Sequence, residues 1–231
     1  MEKSYSPEVP VGEIVAADVR TAGVFTKAGI DFCCGGKKSL SQSCTEAGIS
    51  MENLVNELKV ITSDPIDYTR NYKEWGLGFL ADYIVNTHHQ FVAAHLPELV
   101  FYTGKIASVH GERHPELYEV AELFRQIDAE LRQHLMQEEK TLFPAIKRMS
   151  LNPSVDDKSI IRSEISRMLG EHDFAGGAMD KINRITGNYL VPEDGCNTYR
   201  VALAGLKAFE EDLHLHVHLE NNILFLKASH L

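Results

Sequence analysis

The chain has 231 residues, 44% of them apolar and 24% charged, with a formal net charge of −10. That length and apolar content support a packed core in one large or two small domains and exclude a disordered chain. The acidic balance excludes nucleic acid and acidic membrane surfaces as partners, because both demand a basic face.

No apolar run reaches the roughly 18 residues needed to span a bilayer, and the N-terminus MEKSYSPEVPVGEIV lacks an apolar signal core. The expectation is a cytoplasmic protein with no membrane partner. Four cysteines in a chain of this size do not form a disulfide framework.

Residues 1–8 read as a polar tail. Pro10 opens a helical pattern whose apolar face is Val11, Ile14, Val15 and Val19. A second short helix over residues 20–28 ends at Gly29, and Cys33-Cys34-Gly35-Gly36 marks a tight turn. Two more helices follow over 39–47 and 50–61, the latter capped by Ser50. The stretch TSDPIDYTRNYKEW has no sustained period and reads as a linker. The expected organisation is therefore a small helical module over 1–62, a linker over 63–75 and a helical bundle over 76–231. Four long patterns make up the bundle: 77–109 with Pro97 forcing a kink or a break, a second from Pro115 past Pro144, a third over 154–185 and a fourth over 196–228. No strand pattern occurs, so the fold class is all-α.

The bundle repeats itself. His134 and Glu138 recur as His216 and Glu220, an offset of 216 − 134 = 82, each pair followed by Leu-Phe. Upstream, His89 precedes His134 by 134 − 89 = 45 residues and His172 precedes His216 by 216 − 172 = 44. A His and a Glu four apart share one helix face. About forty-five residues is a helix, a turn and part of the next helix, so each upstream His meets the following pair at one height. Two such hairpins facing each other present four imidazoles and two carboxylates around a pseudo-two-fold axis. That set fits two metal ions bridged by Glu138 and Glu220.

The apolar neighbours Leu131, Leu135 and Leu142, and Leu213, Ile223 and Leu224, place both pairs on the buried side. A buried carboxylate needs a partner, either a hydrogen-bonded His or a metal. Two equivalent pairs with equivalent upstream histidines favour the metal. Imidazole with carboxylate suits iron, manganese or zinc, and two bridging carboxylates with a ligand-poor remainder favour a di-iron centre with an open position. The candidate ligands are His89, His134, Glu138, His172, His216 and Glu220.

Other histidines read differently. His88 is expected at the periphery, and His214 and His218, two positions either side of His216, at the surface. Asp212 and Glu130, one turn before a ligand His, either orient it or are solvated. Cys33 and Cys34 are a second candidate site. A disulfide between neighbours is strained, so they are either small buried thiols at a turn or a transient ligand for iron, a cluster or nitric oxide, that is, a handover point. Cys44 and Cys196 have no such context.

The motifs His89, HLMQE with EEKTLFP, EHD at 171–173 and HVHLENNILF resemble a hemerythrin-like domain. DFCCGGKKSL resembles the ScdA-type domain that precedes it in the di-iron iron–sulfur cluster repair proteins, the ScdA/YtfE family. The resemblance covers essentially the whole chain. It implies a cytoplasmic homodimer with two non-haem, oxo-bridged and carboxylate-bridged iron ions held by the same six residues. It implies repair of iron–sulfur clusters damaged by nitrosative or oxidative stress, with iron–sulfur proteins as clients and nitric oxide or oxygen as small ligands. His110 matches a family His position, either behind a ligand or near a channel. One departure is Leu226, where a proline is expected after the last Leu-Phe. Three activities remain open: iron supply to damaged clusters, which is not conventional enzymology; reduction of nitric oxide to nitrous oxide, which is; and sensing of oxygen or nitric oxide.

Overall fold

A computed structural model describes residues 5–65, 70–152 and 155–231. The expected middle of the linker, the start of the third bundle helix at Ser154 and the first half of the polar tail lie outside the described residues. Among the described residues the structure is helical, and the sole bridge outside helices pairs Pro10 with Ser39. Among the described residues no helix is long and apolar enough to cross a membrane. The chain divides into two compact units, one of Met1–Ala81 with His214–Leu231, the other of Asp82–Leu213.

In the first unit, α1 (Val11–Ala17), α2 (Ala22–Lys27), α3 (Leu40–Ala47) and α4 (Met51–Ile61) form the N-terminal part. Ser39 and Ser50 cap α3 and α4 by accepting the amides of Gln42 and Asn53, which fixes both starts where orphan N–H groups need an acceptor. Gly29, at φ +67°, follows α2 and turns the chain in the left-handed region. Val11, Val15, Phe25, Leu40, Leu54 and Leu58 fill its core. Residues 70–75 of the expected linker are tied down here: Tyr72 is buried, and Lys227 Nζ donates to the carbonyls of Lys73 and Trp75 at 2.9 and 2.6 Å.

In the second unit, α6 (Gln90–His110) packs on α7 (Glu116–Gln137), and α7 and α8 (Phe143–Leu151) pack on α9 (Val155–Ile185). Their apolar stripes recur at helical spacing, Leu117, Val120, Phe124, Ile127 and Leu131 on α7, all buried. Phe124 meets Phe209 of α10 (Asn197–Leu219) edge-on with ring centroids 5.3 Å apart. α6 runs through Pro97 without a break.

The helices are irregular elsewhere. α5 (Leu77–Ile84) passes into a π turn over Val85–His89, α7 into one over Glu138–Leu142, and α10 into one over Glu220–Leu224, followed by α11 (Phe225–Ser229). Pro144 follows the second π turn in the first turn of α8, where its missing N–H is tolerated. Proline is not the common cause, because the third π turn is followed by Leu226 at the matching position. The π turns share something else: a candidate ligand, His89, Glu138 or Glu220, sits at an end of each. Such wide turns concentrate at functional sites.

Candidate metal centre

Four of the six candidate ligands come together within the second unit. Glu138 is fully buried, with its Oε2 3.4 Å from His89 Nε2 and 3.2 Å from His134 Nε2. His172 Nε2 lies 3.1 Å from His134 Nε2. Ligand atoms of His134, Glu138 and His172 all fall within 4.8 Å of one another. In the first unit, His216 Nε2 lies 3.0 Å from Glu220 Oε1, both side chains buried. The i, i+4 spacing does what the sequence predicts on both helices.

The far side of the imidazoles decides what this cluster can hold. His89 Nδ1 is 2.9 Å from Glu139 Oε1, and His134 Nδ1 is 2.7 Å from Glu171 Oε2. A carboxylate beside Nδ1 keeps the proton there, so Nε2 turns a lone pair toward Glu138. Glu171 is a firm acceptor: the bond to His134 and the charge of Arg167, 3.2 Å away, hold its pKa below the ordinary carboxylate value. Lone pairs of two imidazoles aimed at a buried carboxylate repel one another unless a cation stands among them. The donor set therefore fits a metal ion, and nitrogen with carboxylate oxygen suits iron, manganese or zinc. Phe143 stacks on His89 at 5.6 Å and screens it from water.

Neither Glu139 nor Glu171 was among the candidates. Glu171 adjoins His172 in sequence yet serves His134 on another helix, and spacing carries no signal for such a pairing. Two readings of neighbouring residues are corrected. His88 is buried but lies outside the ligand cluster, its Nδ1 2.9 Å from Asp212 Oδ1; Asp212 thus orients His88 rather than His216 and is neither of the two things expected of it. His218 is buried, not a surface residue, and burial pushes its pKa down to about 4. His214 is half-buried and Glu130 exposed. His110 ends α6, 110 − 89 = 21 residues from His89, about 30 Å along the helix. It stands behind no ligand.

His218 is covered by the cysteine turn, within the same unit. Asn222 Nδ2 donates to the carbonyls of Phe32 and Cys33 at 3.2 and 3.0 Å and lies 3.2 Å from His218 Nδ1. The Phe32 ring meets His218 edge-on at 5.6 Å. Gly12 and Gly36 make room for this amide, for a Cβ on either would stand 2.5 Å from Asn222 Oδ1. The turn itself is built around Asp31. Its Oδ1 accepts the amides of Cys33 and Cys34 at 2.9 and 3.0 Å and the Cys33 thiol at 3.2 Å, and its Oδ2 accepts the amide of Gly35. The two sulfurs are 3.9 Å apart. The hydrogen bond with Cys34, burial and the nearby Asp31 charge push the Cys33 pKa well above the thiol range, so Cys33 is a thiol at neutral pH.

An all-helical chain with buried imidazole–carboxylate clusters at π turns is a metal-binding bundle protein. Its residues 80–228 match the Hemerythrin HHE cation binding domain, and residues 8–61 match ScdA_N, a Domain of Unknown function (DUF542). It is 31% identical over 220 residues to the iron-sulfur cluster repair protein ScdA of Staphylococcus epidermidis, covering 95% of this chain and 97% of that one. It is 34% identical to the iron-sulfur cluster repair protein YtfE of Pectobacterium atrosepticum and 33% to that of Yersinia pestis, in each case over 94% of this chain and 95% of the relative. The chain belongs to this ScdA/YtfE family.

Proposed function

We propose that the chain repairs iron–sulfur clusters, as its relatives' names state for them, by supplying iron from a di-iron centre after nitrosative or oxidative damage. The ligands are His89, His134, Glu138, His172, His216 and Glu220, with the two glutamates bridging. One observation carries the reading: Glu139 and Glu171 lie within hydrogen-bond distance of His89 Nδ1 and His134 Nδ1, while the Nε2 atoms of both rings face the buried Glu138 carboxylate. Iron bound there would supply Lewis-acid and one-electron chemistry. The protein's own groups orient the imidazoles, hold their Nδ1 protons and keep the carboxylates from water.

The domain plan remains a module over 1–62, a linker over 63–75 and a bundle over 76–231, in a cytoplasmic homodimer whose clients are iron–sulfur proteins. Cys33 and Cys34 are the handover point. A protonated Cys33 is a poor permanent ligand and a suitable transient one, since iron arrives only as the proton leaves.

Metal content and the optical spectrum of the wild type and of the Glu138→Ala, Glu220→Ala double variant test the centre. Two irons per chain, lost in the double variant, are expected; one zinc or no metal overturns it. Recovery of an apo iron–sulfur enzyme with this protein as sole iron source tests the repair. Rescue no better than free iron, with nitrous oxide formed from nitric oxide under anaerobic reduction, would replace iron supply by nitric oxide reduction. Neither rescue nor turnover would leave sensing of oxygen or nitric oxide.

A further inference from the structure

The second unit carries a thiol that the metal centre does not use. Cys196 stands immediately before α10 and its carbonyl accepts the amide of Arg200 at 3.1 Å, the first bond of a 23-residue helix. Its side chain lies at the positive end of that helix and is exposed. Its Sγ is 3.1 Å from Nε2 of His110, which is buried. His110 is held from two sides. The ring of Tyr199 meets it edge-on at 5.3 Å, and Arg113 approaches its Nδ1 at 3.5 Å. Tyr199 is itself buried and also meets His114, which pairs with Asp194 at 2.9 Å; Arg113 reaches the same Asp194 at 3.2 Å. A guanidinium only donates, so Nδ1 accepts from Arg113 and the Nε2 proton faces the sulfur; an imidazole donor beside a thiol stabilises its thiolate, the nucleophilic form. The backbone amides of Tyr199 and Thr198 also stabilise the thiolate, and the Cys196 pKa lies below the ordinary thiol value. Cys33, by contrast, is raised.

We propose that Cys196, paired with His110 at the start of α10, is a site of reversible oxidation by a hydroperoxide. The thiolate sulfur attacks one peroxide oxygen, the S–O bond forms and the O–O bond breaks. Sulfur loses two electrons to the peroxide. The thiol proton goes to solvent on ionisation and solvent returns one to the departing hydroxide (or alkoxide), so thiol and hydroperoxide give sulfenic acid and water (or an alcohol). Cys196 is the only cysteine in the sequence between Asp82 and Leu213. The sulfenic acid is therefore set up to condense with a low-molecular-weight thiol, giving a mixed disulfide and releasing water. None of this involves the iron centre, which His110 stands about 30 Å from along α6.

The test is site-resolved mass spectrometry on the full chain. Hydrogen peroxide is given in small excess with dimedone as the sulfenate trap, and iodoacetamide alkylation is timed at neutral pH. The expected result is dimedone on Cys196 ahead of Cys33, Cys34 and Cys44. Alkylation of Cys196 should be about tenfold faster in native protein than in the same chain unfolded in urea. His110→Gln, with unchanged helical circular dichroism and metal content, should remove part of that advantage, the amides of Tyr199 and Thr198 keeping the rest. Native Cys196 alkylating no faster than the unfolded thiol, or dimedone on the other cysteines first, overturns the proposal. The native-against-unfolded comparison needs no substitution and stands even if His110→Gln does not fold.

Discussion

Removing Glu171 should weaken metal binding although Glu171 touches no metal. Its Oε2 holds the His134 Nδ1 proton at 2.7 Å while Arg167 steadies Oε1 at 3.2 Å. In Glu171→Ala the imidazole loses both its tautomer preference and its orientation, so Nε2 presents a lone pair to the centre only part of the time. A hydrogen bond to a charged group is worth about 1.5–3 kcal/mol net. The Glu171 side chain is 24% exposed, so solvent screening reduces this to about 1–2 kcal/mol. At about 1.4 kcal/mol per decade, that is roughly a 5- to 30-fold rise in Kd, overlapping the lower part of the roughly 10- to 100-fold range for residues that orient metal-bound histidines. Glu171→Gln keeps an acceptor but not the charge, and should lose less. Competition for iron(II) against a chelator of known affinity measures both, with melting of the metal-free proteins as the control for folding. Unchanged affinity in a correctly folded Glu171→Ala protein would refute the argument that the tautomer controls the site.

Other outcomes follow from the same geometry. Iron extraction by chelator should lower the melting temperature, because the buried, mutually repelling donors are then left without their cation; a metal-free protein as stable as the loaded one would contradict the burial argument. Asn222→Ala deletes the donor to the Phe32 and Cys33 carbonyls and should cost about 1–2 kcal/mol, read by denaturant unfolding. Gly36→Ala should cost about as much or more, since its Cβ would meet the Phe32 carbonyl at 2.6 Å as well as Asn222, and backbone cannot rotate away. Alkylation of Cys33 should be slow at neutral pH and keep rising above the ordinary thiol range, because its raised pKa withholds the thiolate until the solution is strongly basic. A plateau near pH 8 would show that neither burial nor the Cys34 and Asp31 contacts act as described.

The sequence by itself determined the helices and the pairing of candidate ligands within them. His134 with Glu138 and His216 with Glu220 are legible because i, i+4 proximity is a property of one helix and needs no partner. Their burial is legible for the same reason, through the leucines flanking them. The cap at Ser50 is equally local. The π turns are not, because the pattern of apolar residues continues through them while the backbone widens to aim His89, Glu138 and Glu220. Residues that act across helices were decided only by tertiary structure. Glu171 follows its own neighbours in sequence but bonds to His134, and Asp212 lies one turn from His216 but bonds to His88. His218 faces away from His216's side of its helix, which alone suggests solvent. It is buried because the Phe32–Cys33 turn, nearly the whole chain away in sequence, lies over it. Cys196 and His110 are 86 residues apart and become a reactive pair only where the start of α10 meets the end of α6. Periodicity shows which face of an element is apolar; what covers the other faces depends on contacts between distant segments, and no local spacing encodes those.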